Sequence, residues 1–327
     1  MGMFNKLTDH CKLVNNGEID YYVIDRMDEV KAEMLRLLKI VDNICRDKGI
    51  KYWIDGGTLI GAVRHKGFIP WDDDIDISLY KRDYQILINE LIKRETNSDS
   101  QEYLLYSHEK SYYHCCNYLC SKKNIYARAQ GKYSILPIKL DIRPINVIHN
   151  DTNTIKLNSE LREIANEYIF KKKVTSLSAV SQKYQCITRD DFFKFYNDEY
   201  GLGNECEPNM VMTFPYYEFA TEKVHPSSFL SNVKRVKYEN QYTYIPENYD
   251  EYLNYLYGNY MEYPELYSRV PAAYEYNSFS NSPSWMVQLI KNPPKSKFIR
   301  LLYYYKMYGL KKFCLIAKEN MRLKVKL

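Results

Sequence analysis

No uninterrupted apolar stretch of about 18 residues occurs in the 327-residue chain, so no segment reads as a membrane-spanning helix. A mean hydropathy of −0.52 agrees. The first residues, Met1-Gly2-Met3-Phe4-Asn5-Lys6, lack an apolar signal region, and Lys6 stands where a myristoylation signal has Ser or Thr. A cytoplasmic protein is expected. Cysteine is sparse: eight residues scattered over this length make no secreted disulfide framework, and they read as thiols used mostly in packing. With 45% hydrophobic and 27% charged residues, neither a disordered chain nor a fibrous repeat fits. The length suffices for a large domain that buries its own core.

Basic charge is also lacking from most of the chain, despite a net charge of +5. Eleven Lys or Arg and one acid fall between Lys291 and Leu327, a net +10, while the remaining 35 bases and 40 acids give −5. A nucleic-acid binder spreads positive charge over the face that reads phosphate, so this distribution argues against one.

What is present begins with an amphipathic helix over residues 26–47, its apolar stripe formed by Val30, Met34, Leu37, Leu38, Val41 and Cys45. Lys48-Gly49 stops it. A strand-like run from Ile50 to Ile54 leads into Asp55-Gly56-Gly57-Thr58, whose glycines permit a tight turn and close ligand approach. A short helix from Thr58 would aim its first amides at that turn, an arrangement suited to phosphate. Strict alternation in Asp74-Ile75-Asp76-Ile77-Ser78-Leu79 predicts a strand with the acids on one face, and Tyr84, Leu87, Ile88 and Leu91 mark a further helix. Ile138-Lys139-Leu140-Asp141-Ile142 predicts a second strand with Asp141 on its polar side. Residues 155–270 read as mostly helical and loop-rich, and Pro293-Pro294 opens a separate tail.

The chemistry concentrates in Trp71-Asp72-Asp73-Asp74-Ile75-Asp76. Alternation places Asp74 and Asp76 roughly 7 Å apart on one face of a strand. Clustered carboxylates repel and call for a cation, and hard oxygen ligands suit Mg²⁺ or Mn²⁺, with Asp141 completing the set and Asp72 a further ligand candidate. Asp73 turns the other way. A solvated acidic turn is the plain alternative. A calcium loop fails, because Ile77 stands where Gly is required and Asp83 where a bidentate Glu is expected. Gly56, Gly57 and Thr58 are the candidate phosphate cradle, and Arg64, His65 and Lys66 are assigned to donor charge, a loop capping the acceptor or a solvated surface loop being the alternatives. His114, Cys115, Cys116 and Cys120 have poor zinc spacing, and Lys171-Lys172-Lys173 reads as a solvated helix face.

The run from Gly56 to Asp76, GGTLIGAVRHKGFIPWDDDID, resembles the signature of the LicD family. Similarity continues through Arg82-Asp83-Tyr84, Leu140-Asp141-Ile142, Ile245-Pro246-Glu247-Asn248-Tyr249-Asp250 and Tyr257-Gly258-Asn259-Tyr260-Met261, over about residues 30–265. The resemblance, distantly shared with fukutin-related protein, implies a nucleotidyltransferase-type fold, with Asp74, Asp76 and Asp141 at its three acidic places. It also implies transfer of a phosphorylated alcohol, phosphocholine foremost, from a CDP-linked donor to a glycan or lipid-linked saccharide acceptor. Arg143 departs from the family pattern, which bears on the acceptor or phosphate pocket.

The expected architecture is therefore α+β: a nucleotidyltransferase-like mixed sheet flanked by helices, with a mostly helical C-terminal portion. Residues 1–150 form the catalytic core, 151–290 complete the substrate site, and 291–327 make a basic amphipathic tail suited to peripheral contact with an anionic membrane. The expected activity is metal-dependent phosphotransfer in surface-polysaccharide synthesis. In it Asp74, Asp76 and Asp141 hold the metal, and Asp141 orients or deprotonates the attacking hydroxyl. Nucleoside monophosphate transfer on the same fold, and a non-catalytic glycan- or membrane-binding protein, are the rivals.

Overall fold

A computed structural model describes residues 11–97, 103–106, 117–128, 134–168, 188–196, 210–213 and 225–278. The first long element is helix α1, Met27–Lys48. It ends where Gly49 turns left-handed at φ 67° and donates its N–H to the Cys45 carbonyl, as the Lys48-Gly49 stop predicts. Its expected stripe is buried in full, and Ile44 joins it. Helix α2, Gly56–Arg64, starts two residues earlier than the sequence suggests, because the buried Asp55 side chain caps it through the Gly56 N–H. Helix α3, Lys81–Asn97, buries Tyr84, Leu87, Ile88 and Leu91.

The central sheet is mixed. Strand β4, Asp76–Tyr80, lies between β3, Trp53–Ile54, on its antiparallel side and β7, Ser134–His149, on its parallel side. Strand β6, Asn117–Arg128, pairs antiparallel with β7 and also carries β5, Tyr103–Tyr106, and β12, Ala273–Ser278. The far end of β7 holds β8, Met210–Thr213, which in turn pairs with β9, His225–Pro226. Two separate antiparallel pairs complete the strands: β1, Lys12–Asn15, with β2, Asp20–Val23, and β10, Val233–Tyr238, with β11, Gln241–Pro246. Helices α4, Thr152–Asn166, α5, Arg189–Lys194, and α6, Tyr249–Tyr257, follow in the second half.

Three expectations shift. The β4 strand begins at Asp76, so Asp72 to Ile75 form the irregular approach to it, and the regular spacing expected between Asp74 and Asp76 does not apply. Nor is its polar face open to water. All five β4 residues are buried, because α1 and α3 pack on the sheet while residues 225–257 cover the side bearing Asp76, Ser78 and Tyr80. Tyr80 donates to the Leu230 carbonyl at 2.6 Å, which ties that cover down. Finally, the segment beyond residue 155 supplies strands as well as helices, and β12 returns to the main sheet. Two short runs carrying valine, tyrosine, threonine and isoleucine, Val233–Tyr238 and Gln241–Pro246, separated by Glu239-Asn240, were the available signal for the β10–β11 hairpin.

The charged tail, Lys171-Lys172-Lys173, and His114, Cys115 and Cys116 lie outside the described residues. Cys120 is a buried core residue of β6. No helix among the described residues is long and apolar enough to cross a membrane.

Candidate active site

Parallel pairing of β4 with β7 sets Asp76 directly opposite Asp141, and the Asp141 N–H donates to the Ile75 carbonyl at 2.9 Å. Two acids far apart in sequence thus lie side by side, one at the head of β4 and the other midway along β7. Lys139 and Arg143 flank Asp141 at two-residue spacing, so all three side chains leave the same face of β7. Lys139 donates to Asp141 and lies 4.1 Å from the centre of the Tyr118 ring, sealed from solvent. Arg143 forms an ion pair with Asp76, 2.7 Å from Nη2 to Oδ1.

The turn before α2 closes the other side of Asp76. Gly56 has φ 57°, and a Cβ there would meet Asp76 Oδ2 at 3.2 Å, the Tyr257 hydroxyl at 3.7 Å and Arg143 Nη1 at 3.8 Å. Only glycine leaves that cradle unfilled without strain. A Cβ on Gly57 would meet Asp72 Oδ2 at 3.0 Å. Both glycines therefore lie against acids. Thr58 is buried, and its Oγ1 accepts the Asp76 N–H at 2.9 Å, so this hydroxyl fixes the start of β4.

Asp55 holds the turn in place. Its carboxylate accepts from the Gly56 N–H at 2.8 Å, from Ser78 Oγ at 2.6 Å and from the Tyr252 hydroxyl at 3.0 Å. Tyr252 comes from α6, almost 200 residues along the chain, and packs edge-on to His225 with ring centroids 5.2 Å apart. Burial, then the Asp55 charge, push the Tyr252 hydroxyl well above the usual phenol range, so it stays a donor.

The acids meet one another. Burial, followed by the charges of Asp74 and Asp73 and a hydrogen bond with Asp74, pushes Asp72 well above the carboxylate range. Asp76 is pushed up to about 8: burial is the chief cause, Arg143 opposes it, and Asp74 and Asp141 add to it. Tyr238 adds an orphan: its hydroxyl is fully buried, has no partner among the described residues, and lies in the field of Asp72, Glu239, Asp74 and Asp76. Asp73 turns away and accepts the Ala272 N–H at 3.1 Å.

Among the described residues no three Asp, Glu, His or Cys side chains already converge as a metal shell. The donor chemistry nonetheless fits a hard divalent cation: all oxygen, with Asp72 and Asp74 sharing a hydrogen bond and the unpartnered Tyr238 hydroxyl beside them. Asp74, Asp76 and Asp141, with Asp72, are the residues able to hold one.

The basic triplet is arranged differently from the expectation that it meets donor charge. Arg64 donates to the carbonyls of Tyr260 and Glu262 and to His65 Nε2, and lies 4.8 Å from the centre of the Tyr263 ring. Burial first, then the charges of Arg64 and Lys31, hold the His65 imidazole down to about 4, which matches its role as acceptor. Lys66 is exposed and donates to the Val63 carbonyl. Arg143 is the cation beside the turn. Asp55, Lys139, Tyr252 and Tyr257 were assigned no role by sequence reasoning, although Asp55 begins the quoted turn and Tyr257 opens a segment similar to the family.

Residues 49–170 match the family described as LicD/FKTN/FKRP, nucleotidyltransferase domain. The lipopolysaccharide cholinephosphotransferase LicD of Haemophilus influenzae is 25% identical over 268 residues, which cover 72% of this chain and 91% of that protein. Human ribitol 5-phosphate transferase FKRP is 42% identical over 45 residues, 14% of this chain and 9% of its own length. An uncharacterized protein of Rickettsia typhi is 48% identical over 59 residues, 18% of this chain and 19% of its own. The segment that matches this nucleotidyltransferase domain, residues 49–170, is the one that holds the Gly56-Gly57 turn, Asp76, Asp141 and Arg143.

Proposed function

We propose that this LicD-type phosphotransferase moves a phosphorylated alcohol, phosphocholine foremost, from a CDP-linked donor to a hydroxyl of a surface glycan or glycolipid intermediate. The observation that carries the reading is the pairing of Asp76 with Asp141 across β4 and β7, with the Gly56 cradle open against Asp76. The match in length to a cholinephosphotransferase selects phosphocholine as the first group to test.

Asp74, Asp76 and Asp141, with Asp72, would hold Mg²⁺ or Mn²⁺. That ion would supply charge compensation for the transferring phosphoryl group and for the phosphate of the departing CMP. The unfilled corner at Gly56 and the Gly57 amide would face the donor phosphates, and Asp55, which takes up the Gly56 N–H, holds the turn through Tyr252 and Ser78. Asp141, steadied by Lys139, orients the acceptor hydroxyl for in-line attack on phosphorus. CMP leaves. The cover formed by residues 225–257 limits water at the polar end of β4, which protects the donor from hydrolysis.

A donor screen with Mg²⁺ tests this, following CMP release from CDP-choline, CDP-glycerol and CDP-ribitol, and nucleotide release from sugar nucleotides. Free CMP together with a phosphoalcohol on the acceptor is the expected result. A CMP-modified acceptor would establish nucleotidyl transfer instead, and silence with every donor would favour the non-catalytic reading.

A further inference from the structure

Four cations stand near the Gly-Gly turn or the acids, and their partners separate them. Arg64 donates to the carbonyls of Tyr260 and Glu262, and Lys31 to the Pro70 carbonyl at 2.8 Å; both staple loops. Lys139 is 4% exposed and sealed between Asp141 and the Tyr118 ring. Arg143 keeps 29% of its side chain open, and its partner is Asp76, an acid that the proposed reaction assigns to a divalent cation. Its second guanidinium nitrogen, Nη1, reaches within 3.8 Å of the point where a Gly56 Cβ would stand. The Tyr257 hydroxyl reaches within 3.7 Å of that same point, and Tyr257 is exposed. One empty corner of the backbone is therefore bordered by a carboxylate, a guanidinium and a phenol hydroxyl.

We propose that Arg143, with Tyr257 beside it, binds the diphosphate of the donor, and that its ion pair with Asp76 makes donor and divalent cation bind cooperatively. This rests on the phosphotransferase reading of the same site. A cation arriving alone must displace the guanidinium from Asp76 and leave it without a counter-charge. A diphosphate arriving alone must draw Arg143 away and leave Asp76 uncompensated beside Asp74 and Asp141. When both enter, each displaced charge finds a new partner. The planar guanidinium is well shaped for this exchange, because its fork matches two phosphate oxygens as well as it matches a carboxylate. Linkage then requires the same coupling factor in both directions.

The experiment uses the full chain with Mn²⁺ and CDP as probes, each titrated calorimetrically alone and in the presence of the other, with free-ion corrections for Mn²⁺–CDP complexes. In the unaltered protein, each probe should tighten the other by about tenfold or more. Arg143→Met should bind Mn²⁺ alone several-fold more tightly, bind CDP at least tenfold more weakly with Mn²⁺ present, and lose the coupling. Arg143→Lys should keep part of the CDP affinity. Tyr257→Phe, a change at an exposed position, should weaken CDP about threefold and leave Mn²⁺ alone unchanged. CDP affinity unaltered in both Arg143→Met and Tyr257→Phe, or an unaltered protein that binds CDP without coupling to Mn²⁺ or not at all, would overturn the proposal. Turnover separates this from the reaction itself. Equal donor KM in the unaltered protein and Arg143→Met removes Arg143 from the donor site and leaves phosphotransfer standing. Intact coupling without nucleotide release from any donor removes the reaction and leaves the diphosphate site.

Discussion

Two groups of buried and half-buried acids in this molecule are built on opposite plans. On α1, Asp42 accepts the Tyr52 hydroxyl at 2.8 Å and Arg235 at 3.2 Å, and Glu33 accepts Ser121 at 2.5 Å and both nitrogens of the Arg36 fork. Each charge there is matched by donors from outside the group, and the result is a fixed joint between α1, β6 and the β10–β11 hairpin. At the head of β4, the acids face each other instead. Burial first and then Asp74 raise Asp72; burial, opposed by Arg143 and helped by Asp74 and Asp141, raises Asp76; and the buried Tyr238 hydroxyl beside them has no partner among the described residues. Arg143 and Lys139 match Asp76 and Asp141 but leave an excess of acid, and gathering like charges is costly, so a fold keeps such a cluster where a ligand completes it. Partner identity, more than burial, distinguishes an acid that holds the fold from one that serves a reaction.

The largest effect that follows is at Asp76. Asp76→Asn should lower transfer on the order of 10³-fold, about 4 kcal/mol of transition-state stabilisation, while the melting temperature stays level or rises. Relief of repulsion from Asp74 and Asp141 offsets the lost ion pair with the part-exposed Arg143, and Asn keeps the volume. Chelation of divalent ions should mimic the loss in the unaltered protein. Near-normal turnover of Asp76→Asn at saturating donor would sink the distinction between the two groups.

Next in size is an effect on stability alone. His225 is fully buried among Tyr252, Tyr255 and Phe229, and burial holds its imidazole down to about 4, the Asp55 charge only partly opposing this. The unfolded chain takes up the proton near pH 6.5 and the folded chain does not until about pH 4. The stabilisation is complete above pH 6.5, falls as pH drops through that window, and is gone below about 4, a loss of about 3 kcal/mol. His225→Phe should flatten the acid limb of a urea-denaturation profile measured between pH 7 and pH 4. An unchanged slope would show that other groups set it.

Asp42 sharpens the comparison from the structural side. Asp42→Ala leaves Tyr52 and Arg235 without their carboxylate and should cost about 2 kcal/mol of stability by denaturant titration. Donor KM and kcat of the folded fraction should be unmoved.

How much of this was legible in the sequence follows from the range of each interaction. Periodicity gave α1 and its stripe, because a helix face is written in consecutive residues. The Gly-Gly turn and Asp76 with Asp141 were also readable, as local runs with strong alternation. What stayed hidden was the cover over β4. Tyr252 reaching Asp55, Tyr80 reaching Leu230, and the hairpin turn at Glu239 pressing on Gly67 all join segments some 150 to 200 residues apart. A Cβ on Gly67 would fall 2.0 Å from Glu239 Oε1, so this glycine of the signature makes room for protein. The partners of Arg64 stayed hidden for the same reason: nearness in sequence to an acid says nothing of the distant carbonyls that Arg64 holds.

The smallest expected effect is at Asp73, which stands inside the acidic run yet belongs to the structural plan. Its Oδ1 accepts the Ala272 N–H at 3.1 Å, fastening the chain just ahead of β12, and it is 3% exposed. Asn keeps an oxygen in that place, so Asp73→Asn should change stability by less than about 1 kcal/mol and transfer by less than about threefold. Asp73→Ala leaves a buried N–H without its acceptor and should cost about 1–3 kcal/mol, again without a selective fall in kcat. The informative quantity is the ratio of kcat losses in Asp73→Asn and Asp76→Asn, measured on the same preparation with melting temperatures alongside. A ratio near one would mean that the whole run acts as a single charged unit. A ratio of several hundred would mean that side-chain direction, three residues apart, assigns one acid to the fold and the other to the reaction.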